Sequence, residues 1–347
     1  MIAGPGRFSL ALLVVLAFAE AHADEYGASS YVFGTIVRIT VTGADAERAQ
    51  SAVGRVLGEF DRMHRELHAW KSGQLVALNK AIAGGQANIR TTPEIVALIR
   101  QSQLLAERSA NLFNPAIGKL VGLWSFHRDR PGGPVPSAQD VARLVAAHPR
   151  MSDLSVLGDE VTSANPAVQL DFGGYAKGYA LDRAAEILRS DGISNALINI
   201  GGNAMALGRH GARAWRVGLD APRGTGLLAT LELNDGEAVG TSGDYRRYYE
   251  IDGRRYSHII DPRTGYPVAG VESVTVLVPG GAGAGAGALS DAASKPVFIE
   301  GTRGWRKAAA RMGISHAMLV DAGGVVHVTP ELRSRLHFAD SARVAVR

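Results

Sequence analysis

Residues Ser30 to Thr42 alternate β-branched and aromatic side chains around Gly34, which predicts an opening strand. From Ala44 to Glu66 the apolar positions Ala52, Val56, Phe60 and Met63 fall at helical spacing, so a helix follows. A second helix is predicted from Thr92 to Ser109, with Thr91 or Thr92 as cap and Pro93 at the first helical position. Arg130 to Pro136 reads as a Pro/Gly loop, and Ser137 is placed to cap a helix reaching His148. From Ala167 onward the texture changes. Short β-branched runs, Ala196 to Ile200, Trp215 to Leu219, Ala229 to Leu233 and Val271 to Val278, alternate with glycine-rich turns, which predicts an α+β body. Pro279 to Ala288 (PGGAGAGAGA) is a glycine-alanine tract expected to be a flexible loop; no Lys-Ser/Thr follows, so it lacks the signature of a phosphate-binding P-loop.

The N-terminus changes the picture of where the protein works. Arg7 precedes an apolar run from Phe8 to Ala19, too short to span a bilayer, and Ala21-His22-Ala23 follows as a small-x-small pattern. Residues 1–23 are therefore expected to be a signal peptide, with residues 24–347 as the mature domain; an uncleaved N-terminal anchor is the alternative. The chain has no cysteine, which excludes disulfides, thiolate metal sites, a cysteine nucleophile and lipid attachment after the signal. A periplasmic location without a lipid anchor or stable membrane insertion is the expectation. Formal charge is +4 with a pI near 9.4, and the basic residues are scattered, which argues against nucleic acid as a partner. Lys177 and Lys295 stand out because arginine supplies most of the positive charge, with only 6 lysines among 37 basic residues.

The densest chemistry lies in Asp171-Phe172-Gly173-Gly174-Tyr175-Ala176-Lys177-Gly178, read as a strand end, a glycine turn and a helix beginning near Ala176. Such a helix start offers free N–H groups to an anion; Lys177 adds a point charge, and Asp182 is placed to accept from a ribose or amino group. A capped helix with Lys177 in solvent is the competing reading. Asn199-Ile200-Gly201-Gly202-Asn203 ends a buried run in an open turn, and Gly240-Thr241-Ser242-Gly243 supplies two hydroxyls. His258 is a candidate general base or a packed core histidine, and Asp261 either orients it or holds the Asp-Pro-Arg-Thr-Gly turn with Thr264.

Taken together, DFGGYAKGYALD, INIGGN, TSGDYRRYYEIDGRRYSHIIDPRTGYPV and LSDAASK resemble the successive motifs of the FAD:protein FMN transferase (ApbE-like) family. Phe33-Gly34-Thr35 is similar to the family's opening Met-Gly-Thr, and Leu112-Phe113-Asn114-Pro115 to its Phe-Asp-Pro segment. The resemblance implies an ApbE-like, T-fold-related body of mainly antiparallel sheets flanked by helices. It further implies that FMN passes from FAD to a Thr/Ser hydroxyl of an acceptor flavoprotein of the respiratory electron-transport type, with release of AMP. FAD would lie near Gly173, Gly174, Ala176, Lys177, Asp182, Gly201, Gly202, Thr241, Ser242, His258 and Thr264, with Trp70 beside the flavin. Lys177, His258 and Asp261 are the residues expected to act in the transfer.

Magnesium is implied at the Ala176 carbonyl and at an aspartate and threonine four residues apart. Asp291 matches the aspartate, but Lys295 stands at the threonine position, with Ser294 beside it as a substitute oxygen. An ammonium cannot ligate a cation. Either Lys295 neutralises the pyrophosphate directly, or it swings away and Ser294 or water completes the metal shell. A FAD pyrophosphatase and a non-catalytic flavin-binding protein are the alternatives to the transferase.

Overall fold

The computed structural model describes residues 25–128, 130–281, 285–340 and 342–346; the expected signal peptide lies outside the described residues. Its frame is a nine-stranded sheet whose spatial order follows the chain. The strands are labelled here β1 (Glu25–Val32), β2 (Thr35–Thr42), β3 (Ala196–Ile200), β4 (Asn203–Leu207), β5 (Ala238–Gly243), β6 (Val271–Val278), β7 (His316–Asp321), β8 (Val325–Val328) and β9 (Arg343–Val346). Every neighbouring pair is antiparallel except β8 and β9. The expected opening strand is thus a hairpin, because Phe33 and Gly34 both take positive φ (55° and 71°) and reverse the chain between β1 and β2.

Alternation along the strands gives the sheet two apolar faces. Val274, Val276, Ala317 and Leu319 point to one face, and Leu277, Met318 and Val320 to the other. Buried on both sides, β6 is apolar at five of its eight positions, and all eight are buried. The first face is covered by three helices, α1 (Ala46–Glu66), α2 (Ala176–Ser190) and α3 (Ala286–Arg311). Ala52, Val56, Phe60 and Met63 form the buried stripe of α1, and Asp45 caps it by accepting from the Arg48 N–H. The second face packs against a small antiparallel sheet of Trp215–Asp220, Leu227–Leu233 and Leu336–Phe338 through Trp215, Leu231 and Leu233.

The helix Pro93–Arg108 has Thr92 as cap, and Ala138–Ala146 has Ser137, both through side-chain oxygens accepting backbone N–H groups. The stretch before Gly173 is not a strand: Asp171 opens a short 3-10 turn, Phe172–Gly174, and the only strand-like pairing nearby is the isolated bridge of Gln169 to Ile117. The glycine-alanine tract also differs from a loop at its end. Ala286 to Ala288 already belong to α3 and Ala286 and Ala288 are buried, because the helix start is capped and pressed onto α2; residues 282–284 lie outside the described residues. Among the described residues no helix is long and apolar enough to cross a membrane.

Candidate active site

Two helix starts meet behind the glycine turn. A Cβ on Gly178 would overlap the Gly287 carbonyl and lie 2.7 Å from Asp291 Cβ, so only glycine lets α2 and α3 come this close. The approach is fastened by hydrogen bonds in both directions. Gly178 N–H donates to Asp291 Oδ2 (3.0 Å), while the N–H groups of Gly287 and Ala288 donate to the two oxygens of Asp182 (2.8 Å each). Asp182 is therefore the N-terminal cap of α3. Each of its oxygens accepts one N–H from the helix start, and burial pushes its carboxyl up to about 6.

From the sheet side, β5 closes on α3 at Gly240, where a Cβ would lie 2.6 Å from the Ser290 carbonyl. Ser242 Oγ meets Ser294 Oγ at 2.7 Å, Ser294 Oγ donates to the Asp291 carbonyl at 2.6 Å, and Thr241 Oγ1 meets Thr275 Oγ1 at 3.1 Å. Pro296 sits within the helix just beyond, where it cannot continue the N–H ladder.

In that turn Lys295 folds back onto Asp291. Its Nζ donates to the Asp291 carbonyl at 2.9 Å and forms a short ion pair with Asp291 Oδ1. Its Cε lies 3.8 Å from where a Cβ on Gly174 would stand, so the ammonium stem lies over the glycine turn. Burial would raise the Asp291 carboxyl, but Lys295 and Lys177 hold it below the usual range. Lys177 is shifted down, chiefly by burial; Asp291 works against that shift, while Lys295, Arg246 and Arg247 add to it.

The opposite wall is the segment around His258. Its backbone N–H and its Nδ1 both meet the Arg247 carbonyl, at 3.1 and 3.0 Å. A carbonyl only accepts, so Nδ1 carries the proton and Nε2 the lone pair. Burial, then Lys177, Lys295 and Arg247, push the imidazole down to about 3, which keeps it neutral. Asp261 does not orient it. The Asp261 carboxylate holds the Arg263 N–H (2.9 Å) and guanidinium (2.8 Å), and its carbonyl accepts from Gly265 N–H (2.8 Å), while Thr264 Oγ1 accepts from Tyr266 N–H (3.3 Å). Both residues close a turn, and Trp124 secures it by donating Nε1 to the Gly265 carbonyl at 2.8 Å.

Gly201 and Gly202, with φ of 58° and 96°, form the turn between β3 and β4. Arg246 lies over it, its guanidinium 3.3 Å from where a Cβ on Gly202 would be. Trp70 reaches the glycine turn indirectly: Asp171 accepts from Trp70 Nε1 (3.2 Å) and from Gly173 N–H (2.8 Å). His127 lies against the indole, with ring centroids 4.4 Å apart, and its Nδ1 is buried without a hydrogen-bond partner among the described residues. Asp171, Arg246, Arg247 and His127 are site residues that the motif reading did not single out. The Arg-Arg pair was visible directly after TSGDY, whereas His127 carries no local signal.

Magnesium does not fit the side chains intended for it. One Asp291 oxygen accepts from Gly178 and the other holds the Lys295 ammonium, while the Ser294 hydroxyl is bonded to Ser242 and to the Asp291 carbonyl. A divalent ion prefers several oxygen donors and would have to displace an ammonium to reach them. No group of three or more His, Cys, Asp or Glu is placed to hold a metal among the described residues.

The structure is an α+β fold that brings Lys177, Lys295 and the neutral His258 imidazole together beside glycine-lined backbone. The ApbE family model matches residues 33–319, and the chain belongs to that family. A relative from Rhodobacter capsulatus, a FAD:protein FMN transferase, is 43% identical over 91% of this chain, which spans 59% of the relative's length. Another of the same name, from Treponema pallidum, is 33% identical over 75% of this chain and 76% of its own. Among solved structures, the ApbE protein of Thermotoga maritima superposes with a TM-score of 0.80 at 29% identity, covering 90% of this chain and 99% of that one. The apo flavinyl transferase ApbE of Pseudomonas stutzeri gives 0.76 at 27% identity, covering 90% and 97%.

Proposed function

We propose that this chain transfers FMN from FAD to a Ser or Thr hydroxyl of another exported protein and releases AMP. The observation that carries the reading is the fixed tautomer of His258, whose Nδ1–H is held by the Arg247 carbonyl so that Nε2 has its lone pair beside Lys177 and Lys295. The acceptor oxygen attacks the FMN-side phosphorus, the bond from that phosphorus to the bridging oxygen breaks, and AMP leaves with that oxygen. The hydroxyl proton passes to His258 Nε2. An imidazole shifted down to about 3 is a weak base before the substrate binds. Burial is the largest cause of that shift; the diphosphate offsets the part due to Lys177 and Lys295, so substrate binding raises the basicity of the imidazole.

Phosphoryl transfer asks little else of the protein than positioning and charge stabilisation. Lys177 at the start of α2 and the Lys295 ammonium over the glycine turn supply the charge stabilisation. Trp70, anchored through Asp171, supplies an aromatic surface for the flavin end, and the Gly201-Gly202 turn under Arg246 borders the same pocket. An exported acceptor of the respiratory electron-transport type accords with the N-terminal signal pattern.

The test is incubation of the protein with FAD and a peptide containing Asp-Gly-x-Thr-Gly-Ala-Thr, followed by mass analysis of peptide and nucleotide. The expected result is a mass gain of one phosphoester-linked FMN, matched by AMP. Unmodified peptide with free FMN and AMP would show hydrolysis in place of transfer, and bound FAD without AMP would show a flavin-binding protein.

A further inference from the structure

Lys295 is the residue whose placement a simple family reading does not explain. Its side chain is largely buried, 14% exposed, and its ammonium is held by both the carboxylate and the carbonyl of Asp291. It lies over Gly174 and acts electrostatically on both Lys177 and His258. Two lysine side chains, Lys177 and Lys295, thus act on the single buried carboxylate of Asp291. The nearby guanidinium groups are committed elsewhere, Arg246 to Asp220 at 2.5 Å and Arg247 to the Arg128 carbonyl at 2.8 Å.

We propose that Lys295 is a built-in cation that takes the diphosphate of the flavin substrate in place of a metal ion, so that this chain binds FAD without any divalent cation. The inference rests on the flavin reading above. Asp291 is then not a ligand to a metal but the counter-charge that fixes the ammonium in place, with its second oxygen anchored on Gly178 N–H. A lysine serves phosphate as a point charge and needs no particular geometry, so one ammonium over the glycine turn can engage either phosphate. A divalent ion brought to the same spot would meet two ammonium groups and no vacant side-chain oxygen.

The experiment uses the full chain stripped of metal, titrated with FAD in EDTA and again with excess magnesium, with affinity read by calorimetry. Expected is an affinity that magnesium changes by less than about twofold. In Lys295→Thr the affinity in EDTA should fall about tenfold or more and should recover with magnesium, because the substitution removes the ammonium and exposes oxygen donors. Binding of Mn2+ followed by electron paramagnetic resonance should be absent in the unaltered chain and present in the variant. Wild-type affinity that collapses in EDTA and returns with magnesium overturns the proposal without any variant having to fold. So does a Lys295→Thr protein that binds FAD in EDTA as tightly as the unaltered chain. Absence of FAD binding under every condition overturns the flavin reading itself, and this inference with it.

Discussion

The helix junction and the His258 turn lie close enough for Lys177 and Lys295 to act on the imidazole, yet they are held by opposite kinds of contact. At the junction, the bonds from Gly178 to Asp291 and from Gly287 and Ala288 to Asp182 join residues 113, 105 and 106 positions apart. Around His258 the partners are close in the chain: Arg247 lies 11 positions away, and Asp261 bonds Arg263 two positions on. The junction fixes charge by packing two helices through glycine. The turn fixes one imidazole by a single carbonyl. Loss of a side chain should therefore harm stability at the junction and chemistry at the turn.

The largest expected effect is at His258. Replacing it by Ala should lower the transfer rate by about 10²–10⁴-fold while FAD still binds, as measured by peptide modification and calorimetry. A variant that loses FAD binding as well would show that the imidazole is structural. Next comes Gly178→Ala, where the added methyl meets the Gly287 backbone and should cost about 1–3 kcal/mol in chemical denaturation. A neutral result would mean that α2 and α3 can separate without loss.

Smaller is Asp182→Ala, which removes the cap of α3 and should cost about 1 kcal/mol. The two regions should also respond oppositely to pH. His258, shifted from 6.5 to about 3, binds its proton more readily in the unfolded chain, so its contribution is present above 6.5 and is lost as pH falls towards 3. Asp182, shifted from 3.8 to about 6, holds its proton better in the folded chain, so it lowers stability as pH rises through that window. In Asp182→Asn the rise of stability with pH between those values should steepen; denaturation across pH checks this. The smallest effect is expected for Asp261→Asn, which should leave the transfer rate within about threefold because the carboxylate serves the turn. A larger loss of rate would return Asp261 to the catalytic group.

Much of the fold was legible wherever one segment carries its own reason. Val271–Val278 is rich in valine because both faces of β6 are covered, and the caps Thr92 and Ser137 act on N–H groups three positions away. The opening hairpin was read as one strand, since the reversal depends on Phe33 adopting a left-handed φ that no β-alternation announces. The start of α3 was hidden in a glycine-alanine tract, where propensity argues for a loop and only the Asp182 cap makes a helix. In the site, the motifs around Lys177, His258 and Lys295 were visible, whereas the turn role of Asp261, one of two readings open in the sequence, and the helix contact of Asp182 became visible only in their hydrogen bonds.

By itself the sequence determined which residue types carry charge, where the glycine turns fall, and that a lysine stands at the position where an oxygen ligand was implied. It could do so because residue type and local spacing are properties of a single segment. Tertiary structure alone decided that the ammonium closes onto Asp291, that Asp182 caps a helix about a hundred residues away, and that His258 keeps its lone pair at Nε2. Those outcomes depend on where burial and neighbouring charge converge, and such convergence exists only once β5, α2 and α3 have packed together.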